Sequence, residues 1–197
     1  MEIRVTVSPQ DKAFWVEVGR DKKTEFVERI LPGLGFDGSV NPAKAADPYA
    51  PDLIVEGHLA DLKSQRMPFF KAREKYGVDP QFAVTFNEKD FLRYRDRYPS
   101  MDIYFWVVWQ TCERTIANVR YSVRPMAGVW RASFPALRRR IEEQRVGAHA
   151  YLERVFDEQG NAKRSYVFDL RHFEFLGGTR VASDSNRWKA KSPASNP

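Results

Sequence analysis

The sequence predicts an α/β fold: a central mixed sheet flanked by helices, built on one core. Three observations carry this. Segments read in the order helix, strands, helix, strand between residues 20 and 110, the order of a mixed α/β core with one layer of sheet. The run Met101–Gln110 is apolar at almost every position, as in a strand buried on both faces. The composition, 43% apolar and 29% charged over 197 residues, suits a soluble globular chain long enough for one sizeable core with appendages.

The elements follow from local pattern. Residues 2–8 alternate polar and apolar, Pro9-Gln10-Asp11 supplies a turn, and residues 13–18 read as a second strand, which gives an N-terminal hairpin over 1–19. A helix is expected over about 22–32, with Phe26, Val27, Ile30 and Leu31 on one stripe and Pro32-Gly33 as its stop. Residues 37–50 are rich in Pro and small side chains and read as loop, with room for a short strand near Phe36–Val40. Pro51 to Gln65 reads as two short strands joined by a tight turn at Glu56-Gly57-His58. Pro68 and Gly77 bound a helix with a basic side. Gln81–Phe86 is a strand, and Asn87 is the N-cap of a helix over 88–98 that carries Phe91, Tyr94 and Tyr98 on one face.

These elements form a core over 20–110. A basic α+β extension over 111–181, packed on that core, is expected to follow. In it Ser133 caps a helix through Arg145, and Tyr151–Phe156 and Arg164–Leu170 are strands joined at a hairpin. From 182 to 197 the chain is mostly Ser, Asn, Lys, Ala and Pro and reads as a disordered tail.

The chemistry concentrates in the central hairpin. Side chains two apart in a strand share a face, so Asp61, Lys63 and Gln65 point the same way. Asp52 comes close to Asp61 if the two strands pair. Two carboxylates and a backbone carbonyl, that of Leu62, make a hard oxygen site of the kind Mg²⁺ prefers, and Mn²⁺ is the alternative. Acid-x-Lys alone is unspecific: composition gives roughly 1.5 matches by chance, and the chain has Asp61-Leu62-Lys63 and Asp21-Lys22-Lys23. The first stands out by context. It ends an apolar strand, Gln65 follows it, and Pro51-Asp52 precedes it.

With these residues the chain resembles the PD-(D/E)XK nuclease superfamily, over about residues 20–110. The resemblance implies a restriction-endonuclease-like core and a Mg²⁺- or Mn²⁺-dependent nuclease. Asp52 and Asp61 would bind metal, with the Leu62 carbonyl. Lys63 would support the attacking water, and Gln65 would help hold the site or the nucleic acid. A glutamate on the first helix would join them. Glu25 is favoured over Glu28, because its distance from the closing Gly35-Phe36 matches the superfamily's habit.

Charge agrees with a polyanionic partner. The net charge is +6; residues 1–100 hold 16 basic and 16 acidic side chains, and residues 101–197 hold 16 and 10. Arg66 and Lys71 beside the motif, Lys44 in the loop before it, and Arg138, Arg139 and Arg140 on the later helix are the candidate phosphate contacts. The expected partner is nucleic acid, DNA first, with room for protein partners in a larger complex. The alternative is a catalytically inactive nucleic-acid-binding or assembly protein on the same fold.

Other chemistries have no support. His58, His149 and His172 lie at no metal-ligand spacing, and no P-loop, dinucleotide or nucleophile-elbow motif is present. Cys112 is the sole cysteine, so neither a disulfide within the chain nor a cysteine zinc cluster is expected. The longest apolar run, Ile103 to Trp109, is seven residues, far short of a membrane span. A cytoplasmic protein without membrane contact is the expectation.

Overall fold

The computed structural model describes residues 22–150 and 164–179. The expected hairpin over 1–19, the expected strand Tyr151–Phe156 and the expected tail over 182–197 lie outside the described residues.

Helix α1 (residues 22–33) opens the fold and widens to π geometry over Phe26–Ile30. Its cause is Pro32. A prolyl ring has no N–H to donate and collides with the carbonyl four residues earlier. The turn before it opens instead, and the Leu31 N–H reaches back five residues to the Phe26 carbonyl. Phe26 and Leu31 are fully buried, as the stripe required.

Strand β1 (Gly38–Val40) follows, then a 3-10 turn (Pro42–Ala45) capped by the Asn41 side chain, which accepts the Ala43 N–H. Strands β2 (Leu53–Val55) and β3 (His58–Gln65) pair antiparallel, Leu53 with Ala60 and Val55 with His58. Two residues close this hairpin, Glu56 at φ 49° and Gly57 at φ 78°. Positive φ at both places makes it a type I′ turn, whose twist matches that of paired strands.

Helix α2 (Ala72–Tyr76) ends where Gly77 turns left-handed at φ 68°. It does not begin at Pro68 as expected. The neighbouring rings Phe69 and Phe70 are drawn into different apolar clusters, and residues before Ala72 form a turn. Strand β4 (Ala83–Asn87), helix α3 (Glu88–Arg97) and strand β5 (Asp102–Val108) come next. Asn87 occupies the N-cap position, but its side chain does not cap; its Oδ1 accepts the Ser165 hydroxyl at 2.9 Å. β5 runs parallel to β3, from Ala60–Asp102 to Gln65–Val107. A parallel pair needs a long crossover, and residues 66–101 supply it.

A small hairpin, β6 (Glu113–Ile116) and β7 (Val119–Ser122), leads to β8 (Ala127–Ser133), antiparallel to β5. Helix α4 (Phe134–Glu142) starts at Ser133, whose hydroxyl accepts the Ala136 N–H. Strands β9 (Gly147–Ala150), β10 (Arg164–Asp169) and β11 (Glu174–Thr179) complete the described chain.

The result is α/β, with a mixed central sheet of order β1-β2-β3-β5-β8-β11 and a three-stranded sheet β4-β10-β9. The segment after residue 110 is therefore more than an outer extension. β8 and β11 finish the central sheet, and β10 pairs with β4 from the middle of the chain. Alternation along β5 sorts the core into two halves. Ile103, Phe105 and Val107 face α3, α4 and the second sheet, among Phe86, Phe91, Trp130 and Phe134. Tyr104 faces α1, with Phe26, Leu31, Leu53 and Leu62. Among the described residues no helix is long and apolar enough to cross a membrane.

Candidate active site

The β2–β3 register, continued by one residue, sets Asp52 opposite Asp61. Both carboxylates are buried, Asp52 at 7% and Asp61 at 1% exposure. The β3–β5 register puts Asp61, Lys63 and Gln65 beside Ile103, Phe105 and Val107, on the side that faces α3. β2 begins opposite Ala60, so the Asp61–Gln65 edge of β3 runs past the end of that neighbour.

Helix α3 completes the constellation. Tyr94 donates its hydroxyl to Asp61 Oδ1 at 2.8 Å. Lys63 Nζ stands 2.6 Å from Asp61 Oδ2 and 2.6 Å from Asp90 Oδ2, and Arg93 holds the other Asp90 oxygen at 3.2 Å. The Lys63 ammonium also lies 5.4 Å from the Phe86 ring centre and 5.8 Å from that of Tyr94. Asp90 and Tyr94 are one helical turn apart, so a single face of α3 delivers both. Asp52 is held from two sides. Lys23 from α1 approaches Oδ1 at 2.9 Å, and Lys44 from the 3-10 turn at 2.8 Å.

The electrostatics separate the two aspartates. Burial pushes the Asp61 carboxyl up, and the charges of Asp52 and Asp90 add to this; Lys63 opposes them without cancelling them, so the group stays above the usual carboxylate range. Burial pushes Asp52 up as well, but there Lys23 and Lys44 prevail and hold it below that range. Burial by itself would lower Lys63, yet Asp61, Tyr94 and Asp90 raise it well above an ordinary lysine. Lys63 is thus a firm cation, and Asp61 a carboxylate short of positive charge.

Asp61 Oδ2 is held by an ion pair alone, with Lys63 Nζ at 2.6 Å. Burial and the charges of Asp52 and Asp90 outweigh that lysine, and a divalent cation is one partner that would supply further positive charge. The donor set fits such an ion: two carboxylates opposite each other, with the Leu62 carbonyl between Asp61 and Lys63 in the chain.

The other expected residues are placed differently. Glu25 sits on α1 with its side chain 39% exposed and Arg29 at 3.9 Å. It does not gather with Asp52 and Asp61: among the described residues no three His, Cys, Asp or Glu side chains form a metal-ligand group. The reason is helical phase. Lys23 takes the position facing Asp52, and two residues on, Glu25 points elsewhere. Gln65 lies on the correct face, but its side-chain carbonyl accepts the Thr85 N–H of β4 at 2.9 Å, tying the two sheets together. Arg66 is exposed and close enough to Lys22 to help lower that lysine's pKa, after burial, so it belongs to the rim near α1. Lys71 precedes α2. Arg138 pairs with Glu142 at 2.7 Å, one turn along α4, while Arg139 and Arg140 line a separate cavity with His58.

Sequence reasoning did not bring Lys23, Asp90 and Tyr94 to this site. Tyr94 read as core, which it also is, and Asp90 as a weak capping residue. Their i, i+4 spacing at the start of a helix that crosses back to the sheet was the available signal. Comparison with family models, with curated proteins and with solved structures finds no match to this chain.

Proposed function

We propose that the chain is a divalent-metal-dependent phosphodiesterase acting on nucleic acid, with DNA the first substrate to try, on a restriction-endonuclease-like core. The observation that carries this reading is the pair of buried carboxylates, Asp61 opposite Asp52, with the fixed Lys63 cation 2.6 Å from Asp61. The topology supports it. A helix precedes a three-strand antiparallel meander, and a crossover returns the chain to a strand parallel to the third. That is the helix, strands, helix, strand order expected of a mixed α/β core.

Asp52, Asp61 and the Leu62 carbonyl would hold the ion. When bound, Mg²⁺ or Mn²⁺ supplies Lewis acidity and lowers the pKa of a coordinated water. The chain's residues do the rest. Lys63, too strongly held as a cation to act as a base, orients the attacking water and offsets the charge that develops on the phosphate. Asp90 and Tyr94 position Lys63 and Asp61. Lys23 and Lys44 offset the charge of Asp52.

That last feature also favours a second reading, a nucleic-acid-binding protein whose acids are balanced by lysines and need no metal. One assay separates the two. Wild type, Asp61→Asn and Lys63→Ala are incubated with linear, circular and single-stranded DNA and with RNA, in Mg²⁺, Mn²⁺ or EDTA. Metal-dependent cutting lost in both variants supports the nuclease. Metal-independent binding that survives Asp61→Asn, with no cutting anywhere, sinks it.

A further inference from the structure

A cavity of about 640 Å³ opens at the other end of the central sheet, where β3 and β5 begin and β8 ends. Its walls are chemically unlike the acidic site. Arg139 and Arg140 enter from α4, His172 from the 3-10 turn between β10 and β11, and His58 from the first residue of β3. Asp102 and the Arg131–Glu174 pair form the remaining polar wall.

The charges on these walls are unevenly spent. Arg131 is committed to Glu174, through contacts of 2.9 and 2.7 Å. Arg138, next in sequence to the cavity arginines, is committed to Glu142. Arg139 and Arg140 have no carboxylate within ion-pair distance among the described residues, and both point with Ala136 to the same face of α4, where the helix lines the cavity. Arg140 is half-buried and close enough to His172 to depress its pKa, after burial. The lining sets three arginines against two acids, Asp102 and Glu174, and Arg139 and Arg140 are the arginines without an ion pair among the described residues, so the concavity keeps an excess of positive charge that an anion would meet.

We infer that this cavity receives a phosphate monoester, the terminal phosphate of a nucleotide or of a nucleic-acid chain. Arg139 and Arg140 present two guanidiniums from one helix face, and guanidinium geometry suits bidentate contact with phosphate oxygens. The volume lies within the roughly 300–1,000 Å³ of small-molecule sites and exceeds what a lone phosphate fills, so the esterified residue also enters. Asp102, also in the lining, repels a phosphodiester chain that continued past it, and accepts a hydrogen bond from a sugar hydroxyl or a base amine. The inference stands apart from the metal site and does not depend on cleavage.

The test uses the full chain in EDTA, where no cutting intervenes. Fluorescence polarisation compares short labelled oligonucleotides carrying a 5′-phosphate, a 3′-phosphate or hydroxyls at both ends. Inorganic phosphate and a nucleoside 5′-monophosphate serve as competitors. Preference of about tenfold for one phosphorylated end assigns the cavity to chain ends. Competition by the mononucleotide without an end preference assigns it to free nucleotides. In either case Arg139→Ala/Arg140→Ala removes the effect and Arg138→Ala retains it. Because Arg139 and Arg140 hold no ion pair, the double variant keeps its fold, and circular dichroism checks this. Equal binding of all three oligonucleotides with no competition overturns the inference, as does a double variant that behaves like wild type.

Discussion

Strand β3 joins two polar regions built on opposite principles. In its middle, Asp61 and Lys63 are enclosed under α3, and every nearby charge has an opposite charge within about 3 Å: Lys63 with Asp61 and Asp90, Lys23 and Lys44 with Asp52. At its start, His58 opens onto a cavity where two arginines have no carboxylate partner. The difference teaches how to read charge in a fold. In the buried region, removal of one member strands the others, so variants there report on stability and chemistry together. In the open region Arg139 is exposed and Arg140 half-buried, with no ion pair to break, so variants there report on ligand.

The largest effect expected from this contrast is that of Lys63→Met. It strands Asp61 in a buried setting, which costs about 3–5 kcal/mol, while Asp90 keeps Arg93. The Asp61 carboxyl, already raised by burial, then rises further above its unfolded pKa. The penalty is therefore full at neutral pH and shrinks as pH falls toward the unfolded value, because protonation removes the stranded charge. Urea unfolding at pH 7.5 and pH 5 measures it. Equal losses at the two pH values would show that the lysine acts by packing and not by charge. By contrast, Arg139→Ala/Arg140→Ala shifts the unfolding midpoint little at either pH.

Asp61→Asn tests the other side of the pair. Asp61 is held above the ordinary carboxylate range, so its ionised form weakens the fold above its unfolded pKa. The amide keeps the volume and the Tyr94 contact and removes the repulsion from Asp52 and Asp90, while Lys63 retains Asp90. Stability at pH 7.5 should hold or rise, by up to about 1–2 kcal/mol, while metal-dependent cutting falls to background. A variant that loses several kcal/mol would place Asp61 among the structural ion pairs instead. Metal itself gives the complementary reading. Mg²⁺ or Mn²⁺ at a hundredfold over its Kd should stabilise wild type by about 2.7 kcal/mol and leave Asp61→Asn unmoved. The gain should fade as pH drops through the raised pKa of Asp61, since the protonated acid no longer binds the ion.

Much of this contrast was legible in the sequence, for reasons of range. The hairpin, α1, α3 and β5 are written in local periodicity, and the shared face of Asp61, Lys63 and Gln65 follows from strand geometry alone. The pairing of Asp52 with Asp61 needed only a two-residue turn. Contacts across long separations were not legible. Lys63 meets Asp90 across 27 residues and Tyr94 meets Asp61 across 33; no local pattern distinguishes a helix acid that ends on a buried lysine from one that ends in water. The Arg138-Arg139-Arg140 run read as one basic patch. Its division, one arginine to Glu142 and two to a cavity, depends on how α4 is rolled against β8. Glu25 was expected beside Asp52 because the resemblance puts a helix acid there, and the phase of α1 gives that place to Lys23.

A smaller effect on cutting is expected from Tyr94→Phe. It removes the 2.8 Å bond to Asp61 Oδ1 and leaves the ring in the core. Loss of a hydrogen bond to a charged group costs about 1.5–3 kcal/mol. The carboxylate loses a stabilising donor, so the Asp61 pKa moves further up. The acid limb of the pH–rate profile should shift to higher pH while the limiting rate at high pH changes less. An unchanged acid limb would assign that limb to a group other than Asp61.

The smallest expected effect is that of Gly57→Ala, and it bears on both regions at once, because the turn that pairs Asp52 with Asp61 also delivers His58 to the cavity. Gly57 sits at φ 78°, where an L side chain is strained, yet a Cβ there would meet nothing within 4 Å. The cost is therefore conformational alone, about 1–2 kcal/mol. If the apolar pattern of β2 and β3 fixes the register, the strands absorb this strain, since a one-residue slip would turn Leu53, Val55 and Ala60 out of the core. Cleavage and phosphate binding should then both persist at near wild-type levels. Simultaneous loss of the two would show that the turn sets the register, and that the acidic site and the arginine cavity depend on one another through it.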